Sequence, residues 1–153
     1  MNPLTLPPSV DHVIDGVYIS GWRATQYPAE LREAEITNVL KLYEDIPYFP
    51  ADFNTCENAL KDGEFIQLEQ LRRGVDFIVK HVNAGESVLI MCGAGISRSS
   101  TFVLAYMLER GHDLREASAL LREKHPVAQP HPELLRSLIK HYHLHDSLDD
   151  LWK

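Results

Sequence analysis

Hydrophobic residues recur along this chain with two different spacings, and each spacing predicts a different element. From Gln67 to Asn83 they follow the helical period, and Gly85 follows where a helix would end. Ser87 to Met91 is instead a short unbroken apolar run, typical of a strand buried on both faces of a parallel sheet. A glycine-rich segment breaks this run, and a largely buried helix is predicted from Ser97 to Arg110.

Shorter patterns predict the remaining elements. Asp15-Gly16 lies between the β-rich runs Val13-Ile14 and Val17-Tyr18-Ile19, which predicts a tight hairpin. Asp113 is a natural N-cap for one helix, and Thr25 is a candidate cap for another. The other predicted elements are strands over 36–43 and 53–57, a loop over 44–51, and helices over 24–35, 113–124 and 132–142. Early strands, a buried central strand and a helical C-terminal third indicate an α/β fold.

Composition narrows the class of protein. The 153 residues, 44% of them hydrophobic, suffice for one domain with its own core. A net charge of −7 disfavours general binding to nucleic acid, and no stretch approaches the roughly 18 apolar residues of a membrane helix. Cys56 and Cys92 are too few for a disulfide scaffold, which favours a cytoplasmic protein with free thiols. Residues 1–10 lack the features of a signal peptide.

The glycine-rich loop, Cys92-Gly93-Ala94-Gly95-Ile96-Ser97-Arg98-Ser99, is the strongest candidate for a functional site. It joins the end of a central strand to the start of a helix, where ligands usually bind in α/β proteins. A turn there aims backbone N–H groups into one concavity, and the helix start adds partial positive charge. Gly93 and Gly95 permit the curvature, and Arg98 supplies a planar fork for two phosphate oxygens. The loop therefore predicts a phosphate site.

Cys92 lies at the mouth of this predicted site. A helix N-terminus and a nearby cation lower the pKa of a cysteine thiol, which favours the nucleophilic thiolate. Attack on the bound phosphorus would give a phosphocysteine that water then hydrolyses. The Ser99 hydroxyl could hydrogen-bond the thiolate and help it leave in this second step.

Each of these residues also has a purely structural interpretation. Cys92 could be a small core residue, Gly93 to Gly95 a simple turn, and Arg98 a solvated side chain, although a cation is disfavoured in the first turn of a helix. Their combination at this spacing is far more specific than its parts. The loop is not a Walker loop, because no Gly-Lys-Ser/Thr follows, and it is not a Gly-x-Ser-x-Gly elbow.

The loop resembles the Cys-x5-Arg signature of the cysteine-based protein tyrosine phosphatases, and its longer form through Ser100 resembles their dual-specificity branch. The similarity extends roughly from Val13 to Tyr142. It implies an α/β fold like that of protein tyrosine phosphatases, with a central, mainly parallel sheet flanked by helices, and no metal or organic cofactor. It also implies that Cys92 is the nucleophile. The phosphate would be bound by Gly93, Ala94, Gly95, Ile96, Ser97 and Arg98.

Members of this family use an aspartic acid on a separate loop, about thirty residues before the cysteine, as general acid. Asp62 is the best match in this chain, so the resemblance implies that it protonates the leaving oxygen. Asp62-Gly63 is also a common turn pair. The alternative acids are Asp52, Glu57 and Glu64, whereas Asp76 is expected on a solvated helix face.

Two positions depart from the family pattern. Met91 stands where the family usually has a histidine that orients the loop and activates the thiol, so these tasks would pass to the loop amides, Arg98 and Ser99. Pro130-His131 stands where the family often has Pro-Asn, so the resemblance implies that His131 supports the phosphate loop.

The substrate class follows from the resemblance and from two loop positions. Relatives that act on phosphoinositides often carry lysines where this chain has Ala94 and Ile96. Their absence, with the acidic net charge, favours phosphoproteins or simple aryl phosphates over polyphosphorylated lipid head groups. Phosphotyrosine is expected, and short relatives with shallow pockets also admit phosphoserine and phosphothreonine. A phosphate-binding module with little turnover is the alternative. An arsenate-reductase-like thiol enzyme is weaker, because such proteins carry the cysteine loop near the N-terminus.

The ends of the chain are predicted to lie outside the catalytic domain. Residues 1–10 are expected to form an extended arm, 11–145 the domain and 146–153 a tail that is frayed or docks through Leu148, Leu151 and Trp152. His141, His143 and His145 invite a metal interpretation, but only His141 and His145 share a helix face, which favours a solvated helix end. The oligomeric state is not predicted.

Overall fold

The computed structural model describes residues 5–148, and within them the chain forms one sheet and five α-helices. The strands are β1 (Asp11–Ile14), β2 (Val17–Ser20), β3 (Asn38–Lys41), β4 (Asn54–Glu57) and β5 (Val88–Met91). The helices are α1 (Pro28–Glu33), α2 (Leu68–Asn83), α3 (Arg98–Glu109), α4 (Leu114–Lys124) and α5 (Pro132–His141).

The sheet has the order β1-β2-β5-β3-β4, with β5 at its centre. Strands β2, β5, β3 and β4 are parallel, and only β1 pairs antiparallel with β2. Ser20, Met91 and Lys41 end three adjacent strands at the same level, so the loops that follow them meet at one edge. The predicted α/β fold with a mainly parallel sheet is confirmed.

Each face of the sheet packs against its own hydrophobic cluster. Val88 and Ile90 of β5 join a cluster built with helices α2 to α5, whereas Leu89 and Met91 join a second cluster that includes Leu31 of α1. Alternate residues of a strand point to opposite faces, so a strand covered on both sides must be apolar throughout. This explains the unbroken apolar run that predicted β5.

The structure corrects one predicted helix. The helix expected over 24–35 is divided, because Trp22–Gln26 forms a 3-10 turn and α1 begins only at Pro28. Proline favours the first position of a helix, since it lacks the N–H that would be unpaired there. Thr25 is not an N-cap, because its hydroxyl donates to the carbonyl of Trp22 instead of accepting an N–H bond. Leu31 is buried as expected.

The other predicted elements agree with the structure within a few residues. The Asp15-Gly16 turn joins β1 to β2, and the Asp113 carboxylate accepts the Glu116 N–H at the start of α4. At the C-terminal end Leu148 packs against the first cluster, while Leu151 and Trp152 lie outside the described residues. Across residues 5–148 the structure has no helix that is both long and apolar enough to span a membrane. The domain boundaries stay a prediction.

Candidate active site

The loop from Cys92 to Ser97 connects the end of β5 to the first residue of α3, Arg98. Gly95 has φ +74°, and a Cβ at that position would lie 2.5 Å from the backbone nitrogen of Gly21. Only a glycine fits this close approach without strain. The loop is therefore pressed directly against the end of β2.

Donors outside the loop hold its carbonyl groups. The Trp22 N–H donates to the Gly93 carbonyl at 3.0 Å, and the Gln129 N–H donates to the Ile96 carbonyl at 2.9 Å. In a trans peptide the C=O and the following N–H point in opposite directions. The N–H groups of Ala94 and Ser97 therefore point away from these partners and into the turn, as an anion site requires.

Cys92 is almost completely buried beneath the loop, with 2% of its surface exposed. Its Sγ lies 3.2 Å from the Oγ of Ser99, which belongs to the first turn of α3. A hydroxyl at this distance can donate to a thiolate, so the structure brings Ser99 to the place that its predicted role needs. Met91 points to the opposite face of the sheet and is buried in the second hydrophobic cluster. No polar group of Met91 reaches the thiol.

Hydrogen bonds to two backbone carbonyls hold one edge of the Arg98 guanidinium. Its Nη1 donates to the carbonyls of Leu42 and Leu60 at 3.3 and 3.0 Å. An arginine has five N–H donors, so the donors on Nε and Nη2 form a second, planar edge that matches two phosphate oxygens. Nη2 lies above Gly93, 3.1 Å from where a Cβ would be. These contacts position Arg98 over the loop.

Asp62 is exposed and lies beside the loop. Its Oδ1 accepts a hydrogen bond of 2.6 Å from the hydroxyl of Ser97. The same Ser97 oxygen accepts the backbone N–H of His131 at 2.9 Å. Ser97 therefore links the phosphate loop, the Asp62 turn and the start of α5, a contact that the sequence pattern did not predict.

His131 reaches the phosphate loop through its backbone amide and not through its ring. The ring Nδ1 accepts the Glu133 N–H and so caps α5. Nε2 lies 3.2 Å from where a Cβ on Gly63 would be, so the ring lies against the turn that carries Asp62. Support of the loop by His131 stays a prediction.

A cleft of about 550 Å³ opens beside Arg98 and Asp62. The carboxylates of Glu44, Asp62 and Glu64 line it. Among the described lining residues, Lys61 is the only cation besides Arg98, so the polar side of the cleft is acidic. Its remaining lining residues are Ala59, Leu60, Phe65 and Gln70. An aromatic wall next to an arginine is suited to an aryl phosphate.

The alternative acids are placed less favourably than Asp62. Asp52 pairs with Arg32 at 2.7 Å, and Glu57 lies 3.2 Å from the buried ammonium of Lys41. The Arg32 guanidinium holds the pKa of the Asp52 carboxyl below its usual value through a hydrogen bond, so this carboxyl favours its ionised form. Glu64 lines the cleft, but within residues 5–148 it forms no side-chain hydrogen bond to the loop as Asp62 does. Asp76 is exposed on α2 as expected.

Among the histidines near the C-terminus, His141 lies at the end of α5, behind a residue that lines the cleft. His141 forms a 2.7 Å hydrogen bond between Nε2 and the carbonyl of Ile66, and its ring packs beside Phe65. Within residues 5–148 no group of three or more histidine, cysteine or acidic residues is placed to hold a metal ion.

His125 forms a further contact with the loop that sequence patterns did not reveal. Its Nε2 lies 2.6 Å from the carbonyl of Gly95, and its ring is buried. Gly95 and His125 are thirty positions apart, and the pattern of the residues before His125 predicts only the end of a helix. Spacing along the chain gave no signal for this contact.

Comparison with known proteins identifies the family. The model of the dual specificity phosphatase catalytic domain matches residues 17–143. The chain is 32% identical over 126 residues to dual specificity protein phosphatase 1 of Arabidopsis thaliana, covering 80% of this chain and 64% of that protein. It is 34% identical over 131 residues to mouse dual specificity protein phosphatase 12, covering 79% of this chain and 38% of that protein. The chain thus spans less than two thirds of the length of either relative.

Solved structures agree with this assignment. A mouse protein described as a dual specificity phosphatase, solved with zinc tungstate, superposes with a TM-score of 0.83 at 25% identity, covering 94% of this chain and 92% of that one. Human DUSP28 has a TM-score of 0.82 at 23% identity, covering 90% and 95%, and supports the fold. The chain belongs to the dual specificity phosphatase catalytic-domain family, and the predicted family is confirmed.

Replacing Ser97 with alanine should weaken the acid catalysis that the resemblance implies for Asp62. The Ser97→Ala change removes the donor to Asp62 and the acceptor of the His131 N–H, so the Asp62 carboxyl is no longer held beside the loop, and we expect kcat/KM to fall by up to about tenfold, the effect of one lost hydrogen bond. The loss should be larger for phenyl phosphate than for p-nitrophenyl phosphate, because the poorer leaving group depends more on protonation. Ser97→Thr keeps the hydroxyl and is the control. Equal losses for alanine and threonine, or for both substrates, would contradict this role.

Proposed function

We propose that this chain is a cysteine-dependent protein phosphatase that hydrolyses phosphomonoesters through a phosphocysteine intermediate. The observation that carries the proposal is the convergence of the Cys92 thiol, the Ser99 hydroxyl and the Arg98 fork on one loop of inward-directed amides. Such a loop binds the three non-bridging oxygens of a phosphoryl group and stabilises their charge during transfer. Arg98 and the amides of Gly93 to Ser97 bind the phosphate in this proposal.

The first step is attack of the Cys92 thiolate on phosphorus. A sulfur–phosphorus bond forms while the bond to the ester oxygen breaks, and Asp62 gives its proton to that oxygen. In the second step water attacks the phosphocysteine, Asp62 takes a proton from the water, and the sulfur leaves as thiolate. Ser99 donates to the departing sulfur. Inorganic phosphate is released, and both residues return to their starting state.

The cleft supports a phosphoprotein substrate, with phosphotyrosine preferred. Phe65 offers an apolar wall for an aromatic ring, and a phenoxide leaves more easily than the alkoxide of phosphothreonine. Glu44 and Glu64 line the same cleft and would repel the additional phosphates of a polyphosphorylated inositol. A cytoplasmic location is part of the proposal, because both cysteines are free thiols.

Single-turnover hydrolysis of matched phosphopeptides tests this proposal. We expect faster release of phosphate from a phosphotyrosine peptide than from the same peptide with phosphothreonine, and little release from inositol polyphosphates. Basic residues beside the phosphotyrosine should lower KM, since the cleft is acidic, and this effect should weaken in high salt. Tight binding of the phosphotyrosine peptide without hydrolysis would instead favour a phosphate-binding module.

A further inference from the structure

A buried histidine that has no role in the proposed mechanism forms a hydrogen bond with the phosphate loop. His125 follows α4 directly and is 3% exposed. Both of its ring nitrogens have a partner: Nε2 lies 2.6 Å from the carbonyl oxygen of Gly95, and Nδ1 lies 2.6 Å from Oδ2 of Asp11, the first residue of β1. The ring thus bridges the outer strand of the sheet and the loop that would hold phosphate.

These two contacts define which ring atoms carry hydrogen. A carbonyl oxygen only accepts hydrogen bonds, so Nε2 of His125 must donate to Gly95. An ionised carboxylate also only accepts, so Nδ1 donates to Asp11. The arrangement matches a doubly protonated, positively charged ring. Asp11 orients this ring from the solvent side, since its own side chain is 41% exposed.

The hydrogen bond from His125 controls the direction of one loop amide. The Gly95 carbonyl and the Ile96 N–H belong to one planar peptide and point in opposite directions. A donor that holds the carbonyl on the outside therefore turns the Ile96 N–H to the inside of the loop. Backbone amides of Trp22 and Gln129 do the same for the Gly93–Ala94 and Ile96–Ser97 peptides.

His125 adds something that those backbone donors lack. A charged donor forms a stronger hydrogen bond than a neutral amide, and hydrogen bonds in a chain polarise one another. A cation on the Gly95 carbonyl thus makes the Ile96 N–H a better donor to an anion. Met91 points to the other face of the sheet, so the residue before the cysteine supplies no such charge.

We propose that His125, held by Asp11, is a positioning residue that fixes the Gly95–Ile96 peptide and strengthens its amide as a phosphate ligand. This inference rests on the proposed function, because it assigns His125 a part in the same anion site.

The test measures anion binding separately from turnover. We would determine the dissociation constant of inorganic phosphate by calorimetry, and KM and kcat for p-nitrophenyl phosphate. His125→Ala should weaken phosphate binding roughly tenfold or more and raise KM more than it lowers kcat. His125→Gln can donate a neutral amide N–H to Gly95 and should recover part of the loss. Asp11→Ala should show a smaller loss in the same direction.

Tyr106→Phe is the matched control. It removes a hydrogen bond of 2.6 Å to Asp15, at the opposite end of the β1–β2 hairpin, from a tyrosine that is equally buried. We expect it to lower stability without changing the affinity for phosphate. Unchanged phosphate affinity in His125→Ala, or an equal loss in Tyr106→Phe, would overturn the inference and leave the phosphatase proposal intact. Wild-type protein that neither binds phosphate nor hydrolyses esters would overturn both.

A measurement on the wild-type protein tests the proposal even if the variants fail to fold. Nitrogen NMR of the His125 ring in wild-type protein at neutral pH should show hydrogen on both nitrogens. A bare Nε2 would overturn the proposal, because such a nitrogen cannot donate to Gly95.

Discussion

Cys92→Ser should abolish turnover while leaving phosphate binding largely intact. A serine hydroxyl has the same shape but does not ionise at neutral pH without a neighbouring base, so the phosphocysteine cannot form. The loop amides and Arg98 do not depend on the sulfur. We expect kcat on a phosphotyrosine peptide to fall by at least about 10⁴-fold, in line with the removal of nucleophiles from other enzymes. The dissociation constant of the same peptide should change little.

Cys56→Ser is the matched control for this variant. Cys56 is the other free thiol and is half-buried in β4, at the far edge of the sheet. We expect wild-type kinetics from it. Substantial hydrolysis by purified Cys92→Ser would exclude the phosphocysteine route, and inactivation by Cys56→Ser would show that loss of any thiol disturbs the fold.

Asp62→Asn should give the second-largest loss, and its size should depend on the substrate. An amide cannot donate a proton to the leaving oxygen, and general acid catalysis typically contributes ~10²–10⁴-fold. We expect a loss in this range for phenyl phosphate and a much smaller one for p-nitrophenyl phosphate. Comparing kcat for both substrates separates lost protonation from lost binding.

Glu64→Gln is the control for Asp62→Asn. Both carboxylates line the same cleft, but only Asp62 is hydrogen-bonded to the phosphate loop through Ser97. We expect Glu64→Gln to change KM for basic peptides and to leave the dependence on the leaving group unaltered. The reverse pattern, with acid catalysis lost in Glu64→Gln, would reassign the general acid.

Periodicity and turn chemistry predicted most of the fold. The buried run that became β5, the Asp15-Gly16 turn and the Asp113 cap are local features, since a few adjacent residues determine them. The helix over 24–35 was wrong at its start, although Pro28 carried a usable signal. The sequence shows proline there, and proline at a first helical position is common.

The contacts that complete the candidate site were not predictable in the same way. His125 meets Asp11 across 114 positions, and Arg98 donates to a carbonyl 56 positions earlier. Ser97 reaches Asp62 across 35. Each contact depends on how strands and helices pack, because residues so distant meet only once the sheet order is set. The resemblance could nominate Cys92, Arg98 and Asp62, and His131 as a support of the loop, but not the other groups that hold them.

Cys92 and Asp62 lie in segments that we expect to differ in local stability. Cys92 directly follows the central strand, whose two neighbours and two hydrophobic clusters must separate before it can move. Amides in such a segment exchange their hydrogens only when the whole domain opens, whereas an exposed turn opens alone at little cost. Asp62 lies on a turn of this second kind. Mild heat or denaturant would therefore disable proton transfer first and leave a molecule that still retains its anion cradle.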